Sequence, residues 1–386
     1  MKIRCFVSLS LYLRILIMGL LLFPVYSHGI LRLRITRDYE YLGLGRSTRE
    51  ETRVSVLQFD DSGNLYLGGD FRYAGNVRVN NIARWDGRNY YPLGDGLSGP
   101  VESIVIDSQG NIYAGGNFTT AGGRRVNNIA RWNGSEWQPL QEGVNGGVES
   151  LALDSRGILY AGGWFTSAGG ERINRVAAWD GSAWKTLGQG VNGGVEALAL
   201  DPEENLYAGG WFTTAGGKRA ERIARWDGST WNPLEEGLNG GVEALGVDNN
   251  GNLYAGGWFT TAGGIGAERI AMWDGAAWSN LGQGMNRAVK ALTIDSSGNV
   301  YAGGRFTSVD RRSLYYIAQW NGTSWKGVGD GMNGAVLAVT ENSRGRIYAG
   351  GEFTSADRRT VHYLAVWNGE NWDAIRSGRD GPGFRH

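Results

Sequence analysis

Phenylalanine recurs at Phe71, Phe118, Phe165, Phe212, Phe259, Phe306 and Phe353, and tryptophan at Trp85, Trp132, Trp179, Trp226, Trp273, Trp320 and Trp367. Every step in both series is 47 residues, with no insertion or deletion. One copy, residues 195–241, reads VEALALDPEENLYAGGWFTTAGGKRAERIARWDGSTWNPLEEGLNGG. A strand-patterned repeat of roughly 40–50 residues has the length of four short strands with their turns, which is one propeller blade. Alternation places strands at 195–200, 205–209, 222–226 and 230–234. A D-x-x-G-N type turn joins the first two and W-[DN]-G-[STA] the last two, both hairpin signals. Repeat four carries Glu204 where the turn glycine belongs, a left-handed position that costs a non-glycine residue about 1 kcal/mol.

A four-stranded blade cannot bury both its faces alone, so the copies must stack. The expected fold is therefore all-β: a seven-bladed β-propeller, four antiparallel strands per blade, with an open β-solenoid as the alternative stack. A diglycine closes strand two in every copy (Gly68–Gly69 through Gly350–Gly351) and predicts a close approach, with aromatic rings of the neighbouring blade as the expected occupants. Of the 16 Trp, seven lie on strand three and six on strand four (Trp137, Trp184, Trp231, Trp278, Trp325, Trp372), and Tyr90 fills the seventh strand-four place. Both sets are expected in the core between blades, Trp226 included.

The run LYAGGWFTTAGG…IARWDGSTWNPL…GLNGGV resembles the repeats of the fungal bud-site-selection cortical polarity marker and of bacterial proteins grouped with it. It looks more distantly like kelch, whose blades share a strand-two diglycine and spaced aromatics. The resemblance covers about residues 54–375 and implies a surface-exposed binding or scaffolding propeller.

Outside the repeats, Lys2 and Arg4 precede an apolar stretch, residues 15–26, and V-Y-S offers a cut after Ser27, the pattern of a secretory signal peptide. With Arg14 interrupting it, the run is shorter than the roughly 20 residues of a membrane span. The expected organisation is a signal peptide at 1–27, a lead-in at 28–53, the propeller at 54–375 and a tail at 376–386. In the lead-in, residues 31–36 read as a strand, and 39–43 echo strand four, so this segment can supply a ring-closing strand. Cleavage removes Lys2, Arg4, Arg14 and the only cysteine, Cys5, leaving a net charge of −3. A near-neutral chain without a basic block excludes nucleic acid as the expected partner. The expected protein is secreted or on the cell surface, monomeric, and without a membrane span once processed.

Catalytic residue types are scarce. The three His are His28, His362 and His386, none paired at metal-ligand spacing, so neither a metal site nor a cofactor is expected. His362 takes the place of Asn80, Asn127, Asn174, Glu221, Glu268 and Tyr315 in the other copies and reads as a loop or strand-end residue. Chemistry by two carboxylates stays open as a glycoside hydrolase or lyase, and a structural surface or adhesion module is a third class. The expected function is non-catalytic recognition of an extracellular glycan or protein.

One column breaks the symmetry. Between diglycine and Phe stand Asp70, Asn117, Trp164, Trp211, Trp258, Arg305 and Glu352. Four polar members make the position wet, so the three Trp should be exposed on consecutive blades. The second residue of strand one is Ser55, Glu102, Glu149, Glu196, Glu243, Lys290 and Leu337, at the same end of the blade and nearest the ring axis. Glu149 with Trp164, Glu196 with Trp211 and Glu243 with Trp258 should line one arc of one channel mouth, the candidate ligand-binding site. The bland alternative is that the Trp stack on glycine loops, the Glu pair with basic neighbours, and blade duplication copied the ring. Asp310-Arg311-Arg312 and Asp357-Arg358-Arg359 should make the opposite side of that face basic.

Overall fold

The computed structural model describes residues 24–27, 30–33 and 52–375. Residues 52–375 contain seven four-stranded antiparallel sheets, one per 47-residue copy, each a meander of strands in chain order. Blade four is typical: Val195–Leu200, Leu206–Gly210, Ile223–Trp226 and Trp231–Pro233, with a two-residue hairpin, Thr214–Ala215 against Lys218–Arg219, between strands two and three. A separate unit pairs Pro24–Ser27 antiparallel with Ile30–Leu33, which places a strand near the one expected at 31–36. Residues 1–23, on which most of the expected signal peptide falls, the 39–43 segment and the tail at 376–386 lie outside the described residues. No helix among the described residues is long and apolar enough to cross a membrane.

The diglycine is the hinge of the architecture, and its occupant is not an aromatic ring as the sequence suggested. A Cβ built on its first glycine would lie 2.5–2.6 Å from a Cγ1 of the valine that opens strand one of the next blade, as at Gly209 against Val242. Such a distance is not found between real atoms, so the valine fills the space that glycine leaves open. The same contact joins Gly350 of blade seven to Val54 of blade one, which closes the ring. The second glycine answers to its own blade: a Cβ on Gly210 would collide with the Gly194 carbonyl. There strand one carries a β-bulge, with Val195 opposite Gly210 and Ala197 opposite Gly209, so that Glu196 is left over. The corresponding shift occurs in all seven sheets.

The strand-four Trp are the inter-blade core. Trp231 is 2% exposed, and its Nε1 donates to the carbonyl of Leu187 in the preceding blade at 2.9 Å. The equivalent bond is present at Trp137, Trp184, Trp278, Trp325 and Trp372. Strand-three Trp lie beside them, ring centres 5.4–5.5 Å apart, but Trp132, Trp226, Trp320 and Trp367 are only half-buried. Trp226 is therefore a shoulder of the core rather than its centre. At the ring-closing seam Tyr90 replaces the strand-four Trp, and its hydroxyl makes no hydrogen bond among the described residues. The seam instead gains an edge-on contact of Phe59 with Tyr348, centroids 5.0 Å apart.

The turns behave as their residues dictate. Glu204 takes the left-handed conformation at φ 64°, where the other copies place glycine. Its carboxylate accepts the Ser155 N–H of the neighbouring blade at 2.8 Å, which offsets part of that strain. On the opposite face, Asn192 Oδ1 accepts the N–H groups of Thr213 and Thr214 at 2.8 and 2.9 Å. The asparagine of the N-G-G segment thereby fixes the loop that carries the candidate site.

Candidate functional site

The bulge gives the site its aim. An extra residue in one strand turns its side chain out of the pleat, and the extra residue of each strand one is the column Ser55, Glu102, Glu149, Glu196, Glu243, Lys290 and Leu337. All seven line one cavity of about 270 Å³, with Arg53, Arg305 and Glu352 added. Five carboxylates thus face three cations there. Arg53 pairs with Glu102 at 2.6 Å, Arg305 with Glu352 at 2.8 Å, and Lys290 with Glu243. Glu196 accepts the indole N–H of Trp164 at 2.9 Å. The Glu149 carboxylate has neither ion pair nor hydrogen bond among the described residues. Burial, reinforced by Glu196 and Glu102, pushes its carboxyl up to about 7. Burial also raises Glu196, against the pull of the Trp164 hydrogen bond.

Trp164, Trp211 and Trp258 are 47%, 41% and 43% exposed, and they are the only exposed tryptophans of the 16. Each stands at the end of strand two, where its backbone N–H donates to the residue before strand one (Trp211 to the Gly194 carbonyl, 2.8 Å). The rings of Trp164 and Trp211 are seated on the next blade. A Cβ on Gly194 would strike the Trp164 ring, and one on Gly241 the Trp211 ring, at 2.5 Å from Cε2 and Cζ2. One ring face therefore rests on glycine, as the bland alternative expected, while large areas of the indoles remain in solvent.

Carboxylate and indole do not pair blade by blade as the sequence implied. Trp164 reaches forward to Glu196 of blade four, not to its own Glu149. Trp258 bonds its own Glu243 at 2.5 Å. In blade six the forward partners are Ala288, whose Cβ occupies the glycine seat, and Lys290, which cannot accept a hydrogen bond. Trp211 falls between these arrangements. Glu243, its forward partner, is held by Lys290 and Trp258, and the Trp211 indole N–H has no partner among the described residues.

Three further residues belong to the site and escaped the sequence reading: Arg175, Arg222 and Arg269, at the start of strand three. All sit in the left-handed region, φ 67–68°, a strained conformation for a residue with a long side chain. Their Nη1 atoms donate to the carbonyls of Trp164, Trp211 and Trp258 at 2.5, 3.2 and 2.5 Å, and Arg175 also lies 5.7 Å from the Trp164 ring centre. The column reads Asn81, Asn128, Arg175, Arg222, Arg269, Tyr316 and Tyr363. Arginine occurs in the same three copies as the exposed Trp, and that coincidence was the available signal.

The basic side of the face is partly structural. Asp310 and Asp357 accept the backbone N–H groups of Gln283 and Asp330 at 2.6 and 2.7 Å, and Arg312 donates to the Trp325 carbonyl at 2.6 Å. Arg311 stays exposed. His362 is left-handed at φ 45° and makes no side-chain hydrogen bond among the described residues, and burial lowers its imidazole below the usual range. No group of three His, Cys, Asp or Glu among the described residues is placed to hold a metal ion.

No family model matches the chain and no curated protein does, so the resemblance to bud-site-selection and kelch repeats rests on the repeat residues alone. Solved structures do match. The chain is similar to the extracellular domain of the one component system BT4673 from B. thetaiotaomicron, with 13% identity and TM-score 0.56 over 86% of this chain and 40% of that one. It is similar to the WD40 β-propeller domain of Doa1, with 15% identity and TM-score 0.55 over 81% and 94%. A third likeness is YCF48 bound to D1 peptide, with 15% identity and TM-score 0.52 over 88% and 100%. At these identities the likeness is one of fold. The chain is a seven-bladed β-propeller.

Proposed function

We propose that this propeller is an exported, non-catalytic recognition module whose ligand, a glycan or a protein, docks on the axial face over Trp164, Trp211 and Trp258, beside Glu149, Glu196 and Glu243. One observation carries this reading. Thirteen of the 16 Trp are buried or half-buried, and the three exposed ones fall on consecutive blades beside the carboxylate-lined cavity. Water-exposed indole is an unfavourable place to leave apolar surface unless something covers it, and Trp is the residue that dominates binding hot spots. The fold likenesses include an extracellular domain and a propeller with a bound peptide, both compatible with such a role. The test is retention of glycans and cell-surface proteins by the immobilised chain, wild type against a Trp164→Ala/Trp211→Ala/Trp258→Ala variant. Loss of the bound species with unchanged melting supports the assignment; equal retention by both overturns it.

A second reading has one observation in its favour. A carboxyl raised to about 7 beside another carboxylate, as Glu149 is beside Glu196, is the electrostatic setting of a glycosidase acid. Release of reducing sugar from a polysaccharide panel, abolished by Glu149→Gln, would establish it in place of pure binding.

A further inference from the structure

The three exposed rings are neither free nor equivalent. Each has its backbone carbonyl held by an arginine, and the rings are set by a glycine seat or an indole hydrogen bond, which lowers the ordering cost of binding. Trp164 and Trp211 lie on a glycine of the following blade and Trp258 turns to its own Glu243. The indole N–H is spent on Glu196 at Trp164 and on Glu243 at Trp258, while at Trp211 it is unspent. The arc therefore presents a donor only at its middle ring.

The surroundings decide what such an arc suits. The rings do not merge into an apolar patch, because glycine backbone and carboxylates separate them. An apolar side chain of a protein partner wants a closed apolar pocket, whereas the cavity beside these rings is lined mainly by carboxylates and cations. A pyranose ring has one apolar face of C–H groups and a rim of hydroxyls, matching an indole face bordered by polar groups. Charge narrows the class further. Glu149 and Glu196 are the two cavity carboxylates without a cation, and the guanidinium groups nearby are either turned to the Trp carbonyls or paired with Glu102 and Glu352, so this side disfavours acidic ligands.

We propose that the occupant is a linear saccharide chain without acid groups, laid across blades three to five, its central ring on Trp211 and one of its oxygens accepting the Trp211 indole N–H. This rests on the recognition face proposed above and specifies its ligand. Exposed rings on three consecutive blades let a chain gain stacking contacts on more than one blade, where a single sugar gains one.

The experiment is titration calorimetry of the full chain with cello-, xylo-, manno- and chito-oligosaccharides of one to six units, and with hexagalacturonate as the acidic control. The expected result is affinity that climbs with length to three or more units in at least one neutral or amino-sugar series, with no binding of hexagalacturonate. Trp211→Ala should lower that affinity about tenfold or more, and Trp211→Phe, which keeps a ring and removes the N–H, by a few fold. Failure of the whole panel to bind, tighter binding of hexagalacturonate, or a monosaccharide that binds as well as its hexamer overturns the proposal. If a protein ligand is instead retained and lost with the three Trp, the saccharide assignment falls while the recognition face stands. If saccharide binds and neither Trp211→Ala nor the triple Trp164→Ala/Trp211→Ala/Trp258→Ala variant weakens it, the face itself is wrong.

Discussion

At the scale of single residues, burial separates tryptophans that look alike in the sequence. Trp231 is enclosed and tied to the preceding blade, so Trp231→Ala should cost about 3–5 kcal/mol. Trp211→Ala removes a ring already 41% exposed and should leave the urea midpoint nearly unchanged, a contrast that equilibrium unfolding of the two variants will read. Gly241→Ala tests the seat of the ring. Its Cβ should force the Trp211 indole off the next blade, as Ala288 accompanies the altered Trp258, and a changed indole N–H resonance should report the move. The raised Glu149 carboxyl predicts a pH effect of definite sign. An acid whose folded value lies near 7, above its ordinary 4.5, favours folding while protonated and loses that contribution as pH rises from about 4.5 to 7. Glu149→Gln should therefore raise the melting temperature at pH 8 and leave it almost unchanged at pH 4. The sequence told which indoles would be wet, because polar residues share their column. It could not tell that Trp164 reaches into the next blade, since a hydrogen bond between copies leaves no mark on the period of either.

Among the elements, strand two carries the greatest constraint. Its first glycine makes room for a valine side chain and its second for a backbone carbonyl, and these differ in how far they can yield. Gly209→Ala should destabilise by about 1–3 kcal/mol, and Val242→Ala in the same chain should recover part of the loss, giving a measurable coupling in a double-mutant cycle. Gly210→Ala meets main chain and should be worse than Gly209→Ala, with no side-chain substitution to rescue it. The four blade strands, their order and the turn glycines were readable from alternation and from D-x-x-G-N, while the two-residue hairpin between strands two and three was not. The bulge was not, because its extra residue sits inside an unbroken alternating run, and only the partner strand reveals that Glu196 is unpaired.

For the molecule as a whole, the six joints between consecutive blades share an indole bonded to the preceding blade, and the seam between blades seven and one does not. Tyr90→Trp should supply the missing donor towards Ile375, which belongs to the same core cluster, and add about 1 kcal/mol of stability. In the unaltered protein, opening should begin at this seam, so amides of strand one in blade one and strand four in blade seven should exchange with deuterium before those of blade four. Every joint is otherwise made by the same valine against the same glycine, and that contact takes no notice of what the blade shows at the axis. A blade can thus be duplicated or exchanged for its neighbour while its glutamate, tryptophan and arginine travel together as one cassette. Length of the binding arc becomes a matter of copy number, and a chain with blade four repeated in place of blade two would be expected to carry a fourth ring on an unchanged frame.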